Sequence, residues 1–355
     1  MPRPTSFPTG RARRRRVARA GALLVLGALV AACSSTGTTS SPPPAGTAGG
    51  STPTTGASST PGGSTPAGSV APTTVFDGPI GRPPLTPIAD QTSPVGLNGI
   101  AFDRDRLWIA DYKGAQLLGV DLQTGRIVSR YGKAEGLSSA PDDLAVAGDG
   151  TIFWTGFDSG DVGRIRFDVQ GTPTFDVVGN VGPGANPIAF DGEGKLYVGR
   201  AVTGDGLFEV DPSGATVPRQ IVDKVGNVNA FDVAPNGRIY GPRYGPQKTG
   251  ALVRINPGDG SVEEVTPGLS LPFAAKVTPD GTTAFVAEAG PPAQITKIDL
   301  ATGTASTFGK VDATLLDNLA LTPDGSVYVT LFTGPKIVVL GPDGSVKTTL
   351  TVGAG

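Results

Sequence analysis

Residues 317–331 read DNLALTPDGSVYVTL. Two short apolar runs flank Thr322-Pro323-Asp324-Gly325, which spells a strand, a tight turn and a returning strand. The same pattern occurs five more times: NGIAFDRDRLWIAD from Asn98, DDLAVAGDGTIFWTG from Asp142, NPIAFDGEGKLYVGR from Asn186, NAFDVAPNGRIYGPR from Asn229 and FAAKVTPDGTTAFVAE from Phe273. Successive starts lie 44, 44, 43, 44 and 44 residues apart. A third strand with a polar end follows each hairpin (LLGVDLQTG, LFEVDPSG, ITKIDLATG), and then a fourth, such as Arg126 to Tyr131. Four strands at a period of 44 predict a propeller blade, since β-helix coils are shorter and helical solenoids need a 3.6-residue periodicity that is missing. The expected fold is therefore all-β: a six-bladed β-propeller over 86–355, with blades at about 97–140, 141–184, 185–227, 228–270, 271–315 and 316–353. There is no Trp-Asp dipeptide, which disfavours the WD-repeat kind. Ring closure is expected to be contact of blade six with blade one, helped by residues 86–95.

The chain ahead of the repeats divides in two. Residues 1–32 place seven arginines and no acid before an apolar run, AGALLVLGALVAA, too short to span a bilayer, where about 20 residues are needed. The run ends at Leu29-Val30-Ala31-Ala32-Cys33, which resembles the bacterial lipobox. The resemblance implies a lipoprotein signal peptide over 1–32, and acylation (diacylglycerol, palmitate) of Cys33. The expected address is the extracytoplasmic face of the cell membrane, with the lipid on Cys33 as the membrane contact. Residues 33–85 read as a Ser/Thr/Pro/Gly linker without the apolar side chains that would repay ordering.

Composition narrows the chemistry. Of 355 residues none is His, and Cys33 is the sole cysteine, so His-dependent triads, imidazole or thiolate zinc sites and disulfide-linked partners are excluded. With seven of the 29 basic residues in 1–32, the remainder carries 22 basic against 31 acidic groups. A nucleic-acid partner needs the opposite balance.

In a propeller, equivalent positions form rings about the axis. The first-strand starts give Asn98, Asp142, Asn186, Asn229, Phe273 and Asp317; the second-strand ends give Asp111, Gly156, Arg200, Arg243, Glu288 and Leu331. Both rings belong to one face. Asp142 and Asp317, with the amides of Asn98, Asn186 and Asn229, suit an oxygen-loving divalent cation, Ca²⁺ above others, and no organic cofactor is expected. Caps on backbone amides are the competing reading of those Asn and Asp residues. Arg200 and Arg243 match in neighbouring blades and could grip an anionic group, with Asp111, Glu288 and the apolar wall of Phe273 completing a ligand site. Asp232 and Lys276 share one register and predict an ion pair between blades. Trp108, Trp154, Tyr197, Tyr240, Phe285 and Tyr328 recur and read as packing.

Asn98-Gly99-Ile100-Ala101-Phe102, Asp142-Asp143-Leu144-Ala145-Val146 and Asp317-Asn318-Leu319-Ala320-Leu321 resemble the inner strands of NHL-type propellers and of the senescence marker protein/gluconolactonase group. That second resemblance implies a divalent cation in the channel, at positions that Asn98, Asp142 and Asp317 match. The chain departs from it in having no Glu at any of the six starts. Two functions follow as expectations. One is a membrane-anchored propeller that binds a small ligand or an extracellular or cell-wall partner at the channel mouth without turnover. The other is a metal-dependent lactone or ester hydrolase with Asp142 or Asp317 as general base.

Overall fold

The computed structural model describes residues 81–246 and 248–353; the apolar N-terminal run, Cys33 and the linker up to residue 80 lie outside them. No helix occurs among the described residues. Blade one comprises β1 (Leu97–Asp103), β2 (Arg106–Asp111), β3 (Gln116–Asp121) and β4 (Ile127–Tyr131). Blade two comprises β5 (Pro141–Val146), β6 (Ile152–Gly156), β7 (Asp161–Phe167) and β8 (Pro173–Asn180). Blade three holds β9 (Ala185–Phe190), β10 (Leu196–Arg200), β11 (Leu207–Val210) and β12 (Arg219–Val222), and blade four β13 (Asp232–Val233), β14 (Ile239–Arg243), β15 (Gly250–Ile255) and β16 (Val262–Leu269). Blade five runs through β17 (Pro272–Val277), β18 (Thr283–Glu288), β19 (Ala293–Asp299) and β20 (Ala305–Val311). Blade six closes with β21 (Leu316–Leu321), β22 (Val327–Leu331), β23 (Lys336–Leu340) and β24 (Val346–Thr351). Each set forms its own antiparallel four-stranded sheet, paired in chain order. The all-β six-bladed propeller read from the period is the fold.

Burial explains why the second strands are so apolar. Every residue of β2 and β6 is buried, because a neighbouring blade covers each face, whereas β24 is largely exposed at its edge. Six separate apolar cores result, one at each junction between blades. Trp108, Leu117 and Tyr131 of blade one meet Leu144, Trp154 and Ile165 of blade two in one of them. The recurring aromatics are packing, as their positions foretold: Trp108, Trp154, Tyr197, Tyr240 and Phe285 are all buried. The turn acids also keep their expected task. Asp280 and Asp324 each accept the N–H two residues on, at Thr282 and Ser326, ahead of which Gly281 and Gly325 take φ of +70° and +82°.

The ring closes without an exchanged strand. Leu97, Ile100 and Ile109 of blade one pack with Ala320, Ile337 and Val352 from the end of the chain. Residues 81–96 reinforce the seam and run from one face of the disc to the other. Arg82 pairs with Asp103 at the β1–β2 turn (2.8 Å), and Pro83 accepts a hydrogen bond from buried Arg106. Farther on, the Gln91 side chain donates to Ile127 O (2.8 Å) and accepts from Ile127 N (3.0 Å), covering β4. The segment ends at the opposite face, where the Asp111 carboxylate receives the N–H of Val95 and Gly96.

Candidate functional site at the channel mouth

Each inner strand carries the same irregularity near its start. In blade one Leu97 pairs with Asp111 and Ile100 with Ile109, so β1 holds one more residue than β2 over that span. Blades two, three, five and six repeat this between Pro141 and Leu144, Ala185 and Ile188, Pro272 and Ala274, and Leu316 and Leu319. In blade four a lone bridge between Val228 and Arg243 precedes the Asp232–Tyr240 pair, with the same extra residue. Such a bulge breaks the alternation of a strand and re-aims its side chains. The ring positions Asn98, Asp142, Asn186, Asn229, Phe273 and Asp317 all sit at this bulge.

Because of the bulge, two consecutive residues contribute to the centre. Asn98 donates its Nδ2 to Asp142 Oδ1 at 2.8 Å, linking blades one and two. One residue on, Asn318 Nδ2 donates to Asp143 Oδ1 at 2.9 Å, linking blades six and two across blade one. Gly99 makes that crossing possible: a Cβ there would stand 2.5 Å from Asp143 Oδ1 and 2.7 Å from Asp143 Cα. Two threonines hold the bulges in register. Thr330 Oγ1 accepts from Asn318 N (3.0 Å) and reaches Asn98 O at 2.9 Å, while Thr155 Oγ1 donates to Asn186 O at 2.8 Å. Alternating-strand reasoning missed Asp143, Asn318 and both threonines. The doubled polar pairs Asp142-Asp143 and Asp317-Asn318 were the available signal.

The electrostatics of this centre are unbalanced. Burial first, then the neighbouring Asp317 and Asp143 charges, pushes the Asp142 carboxyl well above the usual range. Asp317 is raised to about 8 by burial and by Asp143, with Lys113 opposing. It keeps partial solvent contact, as a group facing a channel does. Asp143 is raised to about 6 by burial, against the pull of Lys276 and its own hydrogen bonds. Burial first, then the charges of Asp317 and Asp142, makes the Tyr244 hydroxyl harder to ionise, with the Asn229 side chain opposing. Asn98 Oδ1 and Asn229 Oδ1 are buried acceptors without a partner. Lys276 also meets Asp232 at 3.7 Å, the expected ion pair between blades.

The other expected ligand residues are placed differently. Asp111 is fully buried, and besides Val95 and Gly96 its carboxylate receives Gly114 N and Gln116 Nε2; it fastens loops rather than facing a ligand. Arg243 pairs with Glu264 of its own blade, and Arg200 donates to Pro183 O at 3.0 Å, so no joint arginine clamp forms. Phe273 is buried edge-on against Tyr244, centroids 5.3 Å apart. Glu288 is buried under donors from Ser270 N and Gln294 Nε2. It lines a recess of about 390 Å³ with Lys248, Pro291 and Pro292, off the axis between blades four and five. Asn186 is half-buried at its ring position. Among the described residues no three acidic side chains converge as a ready metal cage, so any cation here would rest on a mixed set of carboxylates and amides.

Comparison with known proteins agrees with this architecture. The family model described as SMP-30/gluconolactonase/LRE-like region matches residues 223–354, which span blades four to six. Virginiamycin B lyase from Staphylococcus aureus is similar in structure, with TM-score 0.53 and 16% identity over 74% of this chain and 86% of that one. Hydrazine synthase from Kuenenia stuttgartiensis gives 0.54 and 17% over 72% and 79%, and a luciferin-regenerating enzyme 0.53 and 14% over 70% and 88%. At such identities the likeness is one of fold. No curated protein matches the sequence.

Proposed function

We propose that the protein is a lipid-anchored, extracytoplasmic propeller whose channel mouth binds a small cationic ligand, a divalent cation of the Ca²⁺ type being its simplest form. One observation carries the reading. Asp142 and Asp317 feel each other's charge, Asn98 Nδ2 is the one side-chain donor to Asp142 among the described residues, and the ring oxygens Asn98 Oδ1 and Asn229 Oδ1 are buried without a partner, an acceptor-rich set whose burial works against its own negative charge. An orphaned buried acceptor costs about 1–3 kcal/mol, so the cluster gains from a guest that brings positive charge. The donor set fits a hard cation: carboxylate and amide oxygens in adaptable geometry. Asp142, Asp317, Asn98 and Asn229 would hold it, with Asn186 at the ring's edge. Cys33 and the apolar run before it support the anchor.

Titration calorimetry of the purified protein with Ca²⁺, Mg²⁺ and Mn²⁺ tests this. Binding is expected in the wild type, lost in Asp142→Asn and in Asp317→Asn, and accompanied by proton release, because the guest displaces protons that the raised carboxyls retain. Absence of binding by all three ions removes the divalent form. The hydrolase reading draws on a different feature, the two neighbouring carboxyls with raised pKa beside Tyr244. In it a bound cation would polarise a carbonyl, and Asp142 or Asp317 would take a proton from water. Turnover of lactones or aryl esters by the wild type, absent in Asp142→Asn, is the measurement that would promote it.

A further inference from the structure

The residue after each second-strand end forms one more ring at the mouth: Tyr112, Phe157, Ala201, Tyr244, Ala289 and Phe332. Four of the six are aromatic, although the position lies beyond the strands; Phe157 and Phe332 are buried, and Tyr112 and Tyr244 are half-buried. Tyr112 and Tyr244 come from blades one and four, and burial first, then nearby acids (Asp158 and Asp142 for Tyr112, Asp317 and Asp142 for Tyr244), makes both hydroxyls harder to ionise. Tyr112 stands edge-on to Phe157 with centroids 6.2 Å apart. Aromatic side chains of blades one, two, four and six thus share the ring position next to the acidic floor. One of them already holds an ammonium group: Lys113 Nζ is 4.1 Å from the centroid of the Phe332 ring, and its charge acts on Asp317.

Aromatic faces attract cations, and desolvated carboxylates attract them more. The floor adds a hydrogen-bond requirement. Asn98 Oδ1 and Asn229 Oδ1 have no donor, and no donor among the described residues bonds to the Asp317 carboxylate. A guest matching this place brings several N–H donors, a positive charge and an apolar body, with its charge toward the floor. We propose that the mouth binds a small organic primary ammonium, carried on an apolar or aromatic stem, with Lys113 as the internal group it displaces from Phe332. The proposal rests on the reading of the mouth as a cation-binding site and names the chemical class of the guest. A primary ammonium offers three donors, whereas a quaternary one offers none and leaves the amide oxygens unmatched.

Calorimetry on the full chain with benzylammonium, benzyl alcohol and benzyltrimethylammonium, beside a Ca²⁺ titration, decides the matter. Saturable binding of benzylammonium is expected, with benzyl alcohol at least about tenfold weaker for want of charge. Asp317→Asn, an isosteric change whose folding is checked by thermal melting, should weaken benzylammonium by roughly tenfold or more. Phe332→Leu should weaken it by about threefold, and Lys113→Met should tighten it. Calcium binding without benzylammonium binding, in the wild type and in Lys113→Met, overturns this inference and leaves the metal-binding reading standing. Failure of both titrations overturns both. Equal binding of benzyl alcohol, or indifference to Asp317→Asn, likewise overturns the ammonium assignment, while competition between benzylammonium and Ca²⁺ supports it.

Discussion

Asp317 concentrates the energetic conflict of the mouth in one side chain. Its folded pKa of about 8 lies above the ordinary 3.8, so between those values the native state holds a proton that the unfolded chain gives up. The native form then binds more protons, and its contribution to stability is full below about pH 4 and falls as pH rises toward 8. Asp317→Asn removes the titration. The melting temperature of the variant minus that of wild type is therefore expected to grow between pH 5 and pH 8.5, measured without divalent ions, and a constant difference would refute the raised pKa. A sixfold period aligns equivalent starts, so Asp317, Asp142, Asn98 and Asn229 could be listed together from the sequence. Position in a ring does not reveal local partners, such as Glu264 for Arg243 and the N–H groups of Val95 and Gly96 for Asp111.

Among the elements, the bulged inner strand does most to create the site, and it is also the least legible part of the fold. A regular strand would send Asp142 and Asp143 to opposite faces. The extra residue lets both serve the axis, at the cost of backbone groups that the ladder no longer satisfies. Thr330 supplies a missing bond to each of two bulges, accepting from Asn318 N in blade six and donating to Asn98 O in blade one. Thr330→Val keeps the shape and removes both, leaving a buried donor and acceptor unmatched, for a loss of about 1–3 kcal/mol in unfolding free energy. Thr330→Ser should recover most of it in denaturant titrations. If the valine variant were as stable as wild type, Thr330 would be a packing residue only.

At the scale of the molecule, stability depends on the last seam. Five junctions join blades that follow one another along the chain, whereas the sixth must bring Val352 against Ile127 and Ile109 of the first blade. Val352 is fully buried there, and Val346, on the same strand segment, is half exposed. Val352→Ala should cost roughly 1–3 kcal/mol and Val346→Ala within about 0.5 kcal/mol of nothing, by chemical denaturation. Comparable losses would mean that the seam is not where the ring is held. The period of 44 gave away the number of blades and the contact of blade six with blade one, but not which residues the lead-in segment meets, since Gln91 and its neighbours carry no repeat to betray their partner.

That lead-in segment has a directional consequence. Arg82 lies at Asp103, on the side of the disc where the first and second strands turn, and the chain reaches the ring of bulges only at Val95 and Gly96. The polypeptide therefore arrives from behind. The face that carries the ring of bulges is thus left unobstructed by residues 82–91, which spend their contacts on the turns and the outer strand of blade one.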